Sequence, residues 1–179
     1  MSTLVFKKNL YLWTVYPTNY VGENKLAWSL NCRDRDFSAL SAIGAMIPIP
    51  SPVGSIALDS FPGYFMALWR GVGGGATVCA IGHLLSAFRA GFPLGYLHLA
   101  VSLLMAGVGV LIAVLNRRFG IIIGLAGGVA LNTIGGVLAV PVYGWGIVPV
   151  ITPFLFVAST INAAMAGITY KSFKKLKLS

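Results

Sequence analysis

Past residue 36 the chain holds one acid, Asp59, and two histidines, His83 and His98, 15 positions apart. An acid and two imidazoles are raw material for acid–base or metal chemistry, but the pattern supports neither. No second carboxylate accompanies Asp59, so a paired-carboxylate mechanism lacks its other half. No thiolate or carboxylate stands at a ligand spacing from either histidine, so no metal is expected. Cys32 and Cys79 form neither a CxxC pair nor a disulfide framework. Gly73-Gly74-Gly75 is not a phosphate loop, because no Gly-Lys-Ser/Thr follows it. What remains is recognition. Asp59, Ser60, His83, His98, Asn132 and Asn162 offer donors and acceptors, and Tyr143 and Trp145 offer aromatic faces for stacking. Each has a plainer use as well: Asp59 can cap a helix starting near Pro62, and asparagines within apolar helices can bond to neighbouring helices. No enzymatic reaction and no cofactor is expected.

The elements that would position these groups follow from composition. Hydrophobic residues make up 57% of the 179, charged residues 9%, and the mean hydropathy is +0.84. A soluble domain carries about 25% charged residues, so this chain cannot cover a globular surface, and it is too apolar for disorder. It reads as an all-α integral membrane protein. The net charge of +9 does not indicate nucleic acid, because the basic residues sit between apolar runs rather than on one solvated face.

The runs are Phe37–Pro50, Pro62–Trp69, Gly73–Phe88, Leu94–Leu115, Phe119–Val140 and Ile147–Thr169, the last three having the roughly 20 residues a crossing requires. With six crossings and a cytoplasmic N-terminus, Lys7, Lys8, Lys25, Arg33, Arg35, Arg70, Arg117, Arg118, Lys171, Lys174, Lys175 and Lys177 lie inside and only Arg89 outside. With five, Arg70 is stranded in the bilayer and the others divide evenly. Positive charge favours the inner side, so the expectation is six transmembrane helices with both termini cytoplasmic. Residues 1–36 form a cytoplasmic or interfacial segment, 37–170 the membrane domain, and 171–179 a basic cytoplasmic tail.

That topology places Asp59, Ser60, His83, Ser86, Arg89 and His98 toward the outside, with Asn132, Ser159 and Asn162 nearer mid-membrane. An outward polar pocket closed below by apolar packing is expected. The 22 glycines, about 12% of the chain against a usual ~7%, supply close helix contacts. Gly120, Gly124 and Gly128 form such a face, expected to be internal.

Four stretches carry a resemblance: Ser38-Ala39-Leu40-Ser41-Ala42-Ile43-Gly44-Ala45, Gly54-Ser55-Ile56-Ala57-Leu58-Asp59-Ser60-Phe61-Pro62-Gly63-Tyr64, Gly82-His83-Leu84-Leu85-Ser86-Ala87 and Gly91-Phe92-Pro93-Leu94-Gly95-Tyr96-Leu97-His98. Together they resemble the substrate-binding (S) components of energy-coupling factor (ECF) transporters. The Leu58-Asp59-Ser60 and Gly91-Phe92-Pro93-Leu94 words are most similar to members assigned to α-ribazole, a cobamide precursor. The resemblance implies a prokaryotic plasma-membrane subunit that captures a small vitamin or precursor from outside. Its partners would be a membrane coupling (T) subunit and two cytoplasmic ATPases. It further implies ligand contacts from Asp59, Ser60, His98, Asn132, Tyr143, Trp145 and Asn162, and docking on the coupling subunit through Ser38, Ser41, Ala42 and Ala45.

The chain departs from that family in its start. Phe37–Pro50 is only about 21 Å long as a helix, short of a ~30 Å core, and Arg33-Asp34-Arg35-Asp36 precedes it. Two other readings stay open on sequence grounds: a small channel or carrier oligomerising through the Gly120/Gly124/Gly128 face, and a structural accessory subunit of a membrane complex.

Overall fold

The computed structural model describes residues 37–41, 48–51, 54–57 and 59–178, and side chains within 59–175 and 37–41. The chain is helical at 37–41 and then forms a hairpin, β1 (Pro48–Ser51) and β2 (Gly54–Ala57), pairing antiparallel with Ile49 opposite Ile56. The sequence reading carried an apolar run to Pro50, but its last residues are strand rather than helix. Ile-Pro-Ile-Pro cannot continue a helix, since each proline lacks an N–H and disfavours helical geometry in the residue before it. As a strand, its two prolines at alternate positions leave one edge without donors, which suits a two-stranded ribbon.

The helices follow: α1 (Phe61–Trp69), α2 (Val72–Arg89), α3 (Leu97–Phe119), α4 (Ile121–Ile134), a 3-10 turn (Gly135–Ala139), α5 (Val140–Tyr143) and α6 (Ile147–Leu178). Among the described residues three stretches are long and apolar enough to cross a membrane: Leu97–Phe119, Ile121–Tyr143 and Ile147–Lys175. The residues expected to form a separate basic tail continue α6 as helix to Leu178.

The apolar stretch from Pro62 to Phe88 is two helices, broken at Arg70-Gly71, where Gly71 adopts a φ of 81° that a residue with a Cβ rarely holds. The following Gly73-Gly74-Gly75 is not part of the hinge; it is the first turn of α2. At nine residues α1 is about 14 Å long and cannot span a ~30 Å core alone. It is instead the most enclosed element, with every residue from Pro62 to Leu68 buried.

Glycine sets how closely its neighbours approach. A Cβ on Gly109 of α3 would run into the backbone of Gly75 on α2, and one on Gly75 would lie 2.6 Å from the Ala67 Cβ. Gly124 and Gly128 of α4 face Ile112 and Asn116 of α3, so the glycine face is spent inside the chain. Gly120 belongs to the α3–α4 turn, with open space around it and φ 92°.

The core runs through α1, α2 and α3 (Tyr64, Met66, Val78, Val108, Ile112) and reaches Ala163 and Ala166 of α6. Toward the C-terminal end of α1 it becomes aromatic. Phe65 stacks on Phe37 at 5.3 Å and on Trp69 at 5.7 Å, and Trp69 meets Phe173 and Tyr170 edge-on at 5.9 and 6.3 Å. Each such pair adds about 0.5–1.5 kcal/mol beyond burial. This plug closes the bundle at the end opposite Asp59.

Candidate functional site

At the N-terminal end of α1 the helices part around a cavity of about 450 Å³. Its wall takes Asp59 and Ser60 from the turn before α1, His83 and Ser86 from α2, and His98 from α3. Asn132 comes from α4, Gly135 and Gly136 from the 3-10 turn, Tyr143 from α5, and Ser159 and Asn162 from α6. The rest is mainly aliphatic, including Val101, Leu104, Met105, Ile151 and Leu155. Seven of the eight residues singled out by sequence therefore meet in one place. Trp145 does not: it is 73% exposed and off the wall, so a Tyr143–Trp145 stacking pair does not form there.

The polar groups divide into those already occupied and those facing the space. Asn162, 1% exposed, is occupied at both ends: Phe61 N–H donates to its Oδ1 at 2.8 Å, and its Nδ2 donates to the Ala158 carbonyl at 2.9 Å. It thereby caps α1 from across the bundle. The capping role considered for Asp59 is not what forms, because neither Ser60 nor Asp59 makes a side-chain cap on α1. Ser159 Oγ and Tyr64 OH share a 2.8 Å hydrogen bond under the floor.

The histidines touch each other. His83 Nε2 and His98 Nδ1 are 3.2 Å apart, and Leu94 N–H donates to His98 Nε2 at 3.2 Å. A nitrogen that accepts from a backbone N–H carries no proton, so His98 holds its proton on Nδ1 and donates it to His83. Phe92, at a φ of 51°, lies edge-on to the His98 ring at 5.6 Å. The strained Gly91–Tyr96 turn thus holds one wall. Tyr143, 44% exposed, reaches over the opening, its OH donating to the Pro93 carbonyl at 3.4 Å.

Asp59 is buried, with Ser60 Oγ donating to its Oδ1 at 3.1 Å and the Ser86 hydroxyl also bonding to it. Burial pushes its carboxyl up to about 6, against the hydrogen bonds from Ser86 and Ser60, which favour the charged form. Among the described residues no lysine or arginine lines the cavity. The arrangement suits an uncharged, partly aromatic molecule with several hydroxyl or ring-nitrogen groups, or one presenting a donor to Asp59.

Sequence reasoning passed over Tyr64, whose hydroxyl supports the floor, and the 3-10 turn, whose Gly135-Gly136 pair admits Leu104 and Leu155. A Gly-Gly pair just after Asn132-Thr133 was the available signal. The first helical stretch also differs from expectation. Ser38 and Ser41 are buried, and Ser41 lies against Gly82 of α2, 2.9 Å from where a Cβ there would sit. Ser41 is thus packed against α2 within the chain. Ala42 and Ala45 lie outside the described residues, as does the segment 1–36.

Comparison with protein-family models, with curated proteins and with solved structures finds no match to this chain.

Proposed function

We propose that the chain is a membrane-embedded binding subunit for a small nutrient, a vitamin or vitamin precursor such as α-ribazole, working within an importer of the ECF type. One observation carries this reading: polar side chains from separate parts of the sequence converge on a single cavity in an otherwise apolar bundle. Burying polar groups in a membrane protein is costly, and they are kept chiefly where they act. The cavity volume falls within the usual range of about 300–1,000 Å³ for small-molecule sites. No Walker sequence is present to drive transport, which is why partner ATPases and a membrane coupling subunit belong to the proposal. So do six crossings, cytoplasmic termini and a prokaryotic plasma membrane. Packing of Gly124 and Gly128 against α3 removes the face through which a self-assembling channel would associate.

The test is a titration of purified protein by calorimetry against α-ribazole, riboflavin, thiamine, biotin, pantothenate and cobalamin. Saturation by one compound at one per chain supports the reading. Silence from the whole panel by folded protein counts against it and favours the accessory-subunit reading.

A further inference from the structure

A second concavity lies on the outer surface between α4 and α6, separate from the polar cavity and sharing no residue with it. Its volume is about 540 Å³, and its walls are apolar from Ile121 at one end to Ala130 at the other. Small residues on both helices make the hollow: Ala126 and Ala130 on α4, Ala164 and Gly167 on α6. Thr160, the one hydroxyl in the wall among the described residues, donates to the Phe156 carbonyl at 2.7 Å and asks for no further partner. Among the described residues the charge on the wall is Lys171, at the Ile121 end.

We infer that this groove holds one anionic phospholipid, an acyl chain lying between α4 and α6 with its phosphate at Lys171. Length is the first reason. From Ile121 to Ala130 α4 rises about 14 Å, half of a ~30 Å hydrocarbon core, so the groove matches one leaflet. Charge is the second. Lys174 and Lys175 follow Lys171 by three and four residues and so share its side of α6. Arg118 lies in the last turn of α3 just before Ile121, and these four cations are exposed. Cations at a headgroup level attract anionic lipid.

Native mass spectrometry of the full chain, delipidated and then offered equal dioleoyl-phosphatidylglycerol and dioleoyl-phosphatidylcholine, tests this. The expected result is one retained lipid per chain, with phosphatidylglycerol favoured about fivefold or more, the effect of one well-placed cation. Lys171→Gln should reduce that preference while still retaining lipid, and an unchanged preference overturns the inference. Ala126→Phe and Ala164→Phe, each filling the groove from a different helix at an exposed position, should lose retention of both lipids, with unchanged helicity as the folding control. Equal retention of the two lipids by the wild-type chain overturns the inference. So does undiminished retention by whichever filled variant folds.

Discussion

The amide of Asn162 satisfies a helix start that the local sequence leaves open. Phe61 N–H has no side-chain cap from Ser60, and Pro62 has no N–H to satisfy, so a group 101 positions away supplies the acceptor. Asn162→Ala leaves that donor buried and unpaired, and should destabilise the protein by about 1–3 kcal/mol in denaturant or thermal unfolding. Asn132 lies on the wall half-buried and also bonds to the Tyr64 hydroxyl, so Asn132→Ala should weaken ligand binding and cost about 1 kcal/mol of stability. Asp59 gives a pH dependence. Its folded value of about 6 lies above the model-peptide 3.8, so the folded state holds a proton that the unfolded chain has already released. Its contribution is full below about pH 4 and is lost as pH rises through about 6. Two pH units correspond to about 3 kcal/mol at most. Asp59→Asn should flatten the slope between pH 4 and 7 and raise stability at pH 7, as unfolding midpoints at each pH would report. Asp59 and Asn162 were legible as candidates because polar residues in apolar runs need a reason. Which of them capped α1 was not, since a tertiary cap leaves no local spacing to read.

Helix contacts depend on a few positions where no Cβ fits. Gly109→Ala drives a methyl into the Gly75 backbone and should cost about 1–3 kcal/mol as overpacking. Gly107→Ala, two residues earlier in the same helix, meets nothing within 4 Å and should be neutral or gain up to about 1 kcal/mol through helix propensity. Thermal unfolding of the two variants side by side separates packing from propensity. At this scale the sequence was informative where apolar runs were long: α3 and α6 and the Ile121–Tyr143 span follow from length and hydropathy. It was less so where elements were short. The break at Arg70-Gly71 was legible from charge and glycine, but its triglycine reads as a turn and is helix, because Gly74 and Gly75 are buried against Arg70 and Ala67. The hairpin at 48–57 has no alternating pattern to announce it. The 3-10 turn after Ile134 continues an apolar run without interruption.

Taken whole, the molecule has a polar cavity at one end of α1 and an aromatic plug at the other, and three stretches able to cross a bilayer. The alternation of α3, α4 and α6 places the turns at Gly91 and Gly146 on one side and Arg118 and Lys174 on the other. Single cysteines at these four positions, with Cys32 replaced, should react with an impermeant maleimide in two pairs, Gly91 with Gly146 from one side and Arg118 with Lys174 from the other. Labelling of all four from one side would contradict the crossings. The central claim is that the cavity takes a ligand, and the most direct measurement is calorimetric titration of the wild-type chain beside Asn132→Ala and Leu138→Trp, the latter filling the cavity from its 3-10 turn wall. Saturation at one per chain, weakened tenfold or more in both variants (about 1.4 kcal/mol) while folding is kept, is the predicted result. A ligand bound equally well by all three, or none bound by the folded wild type, would contradict it.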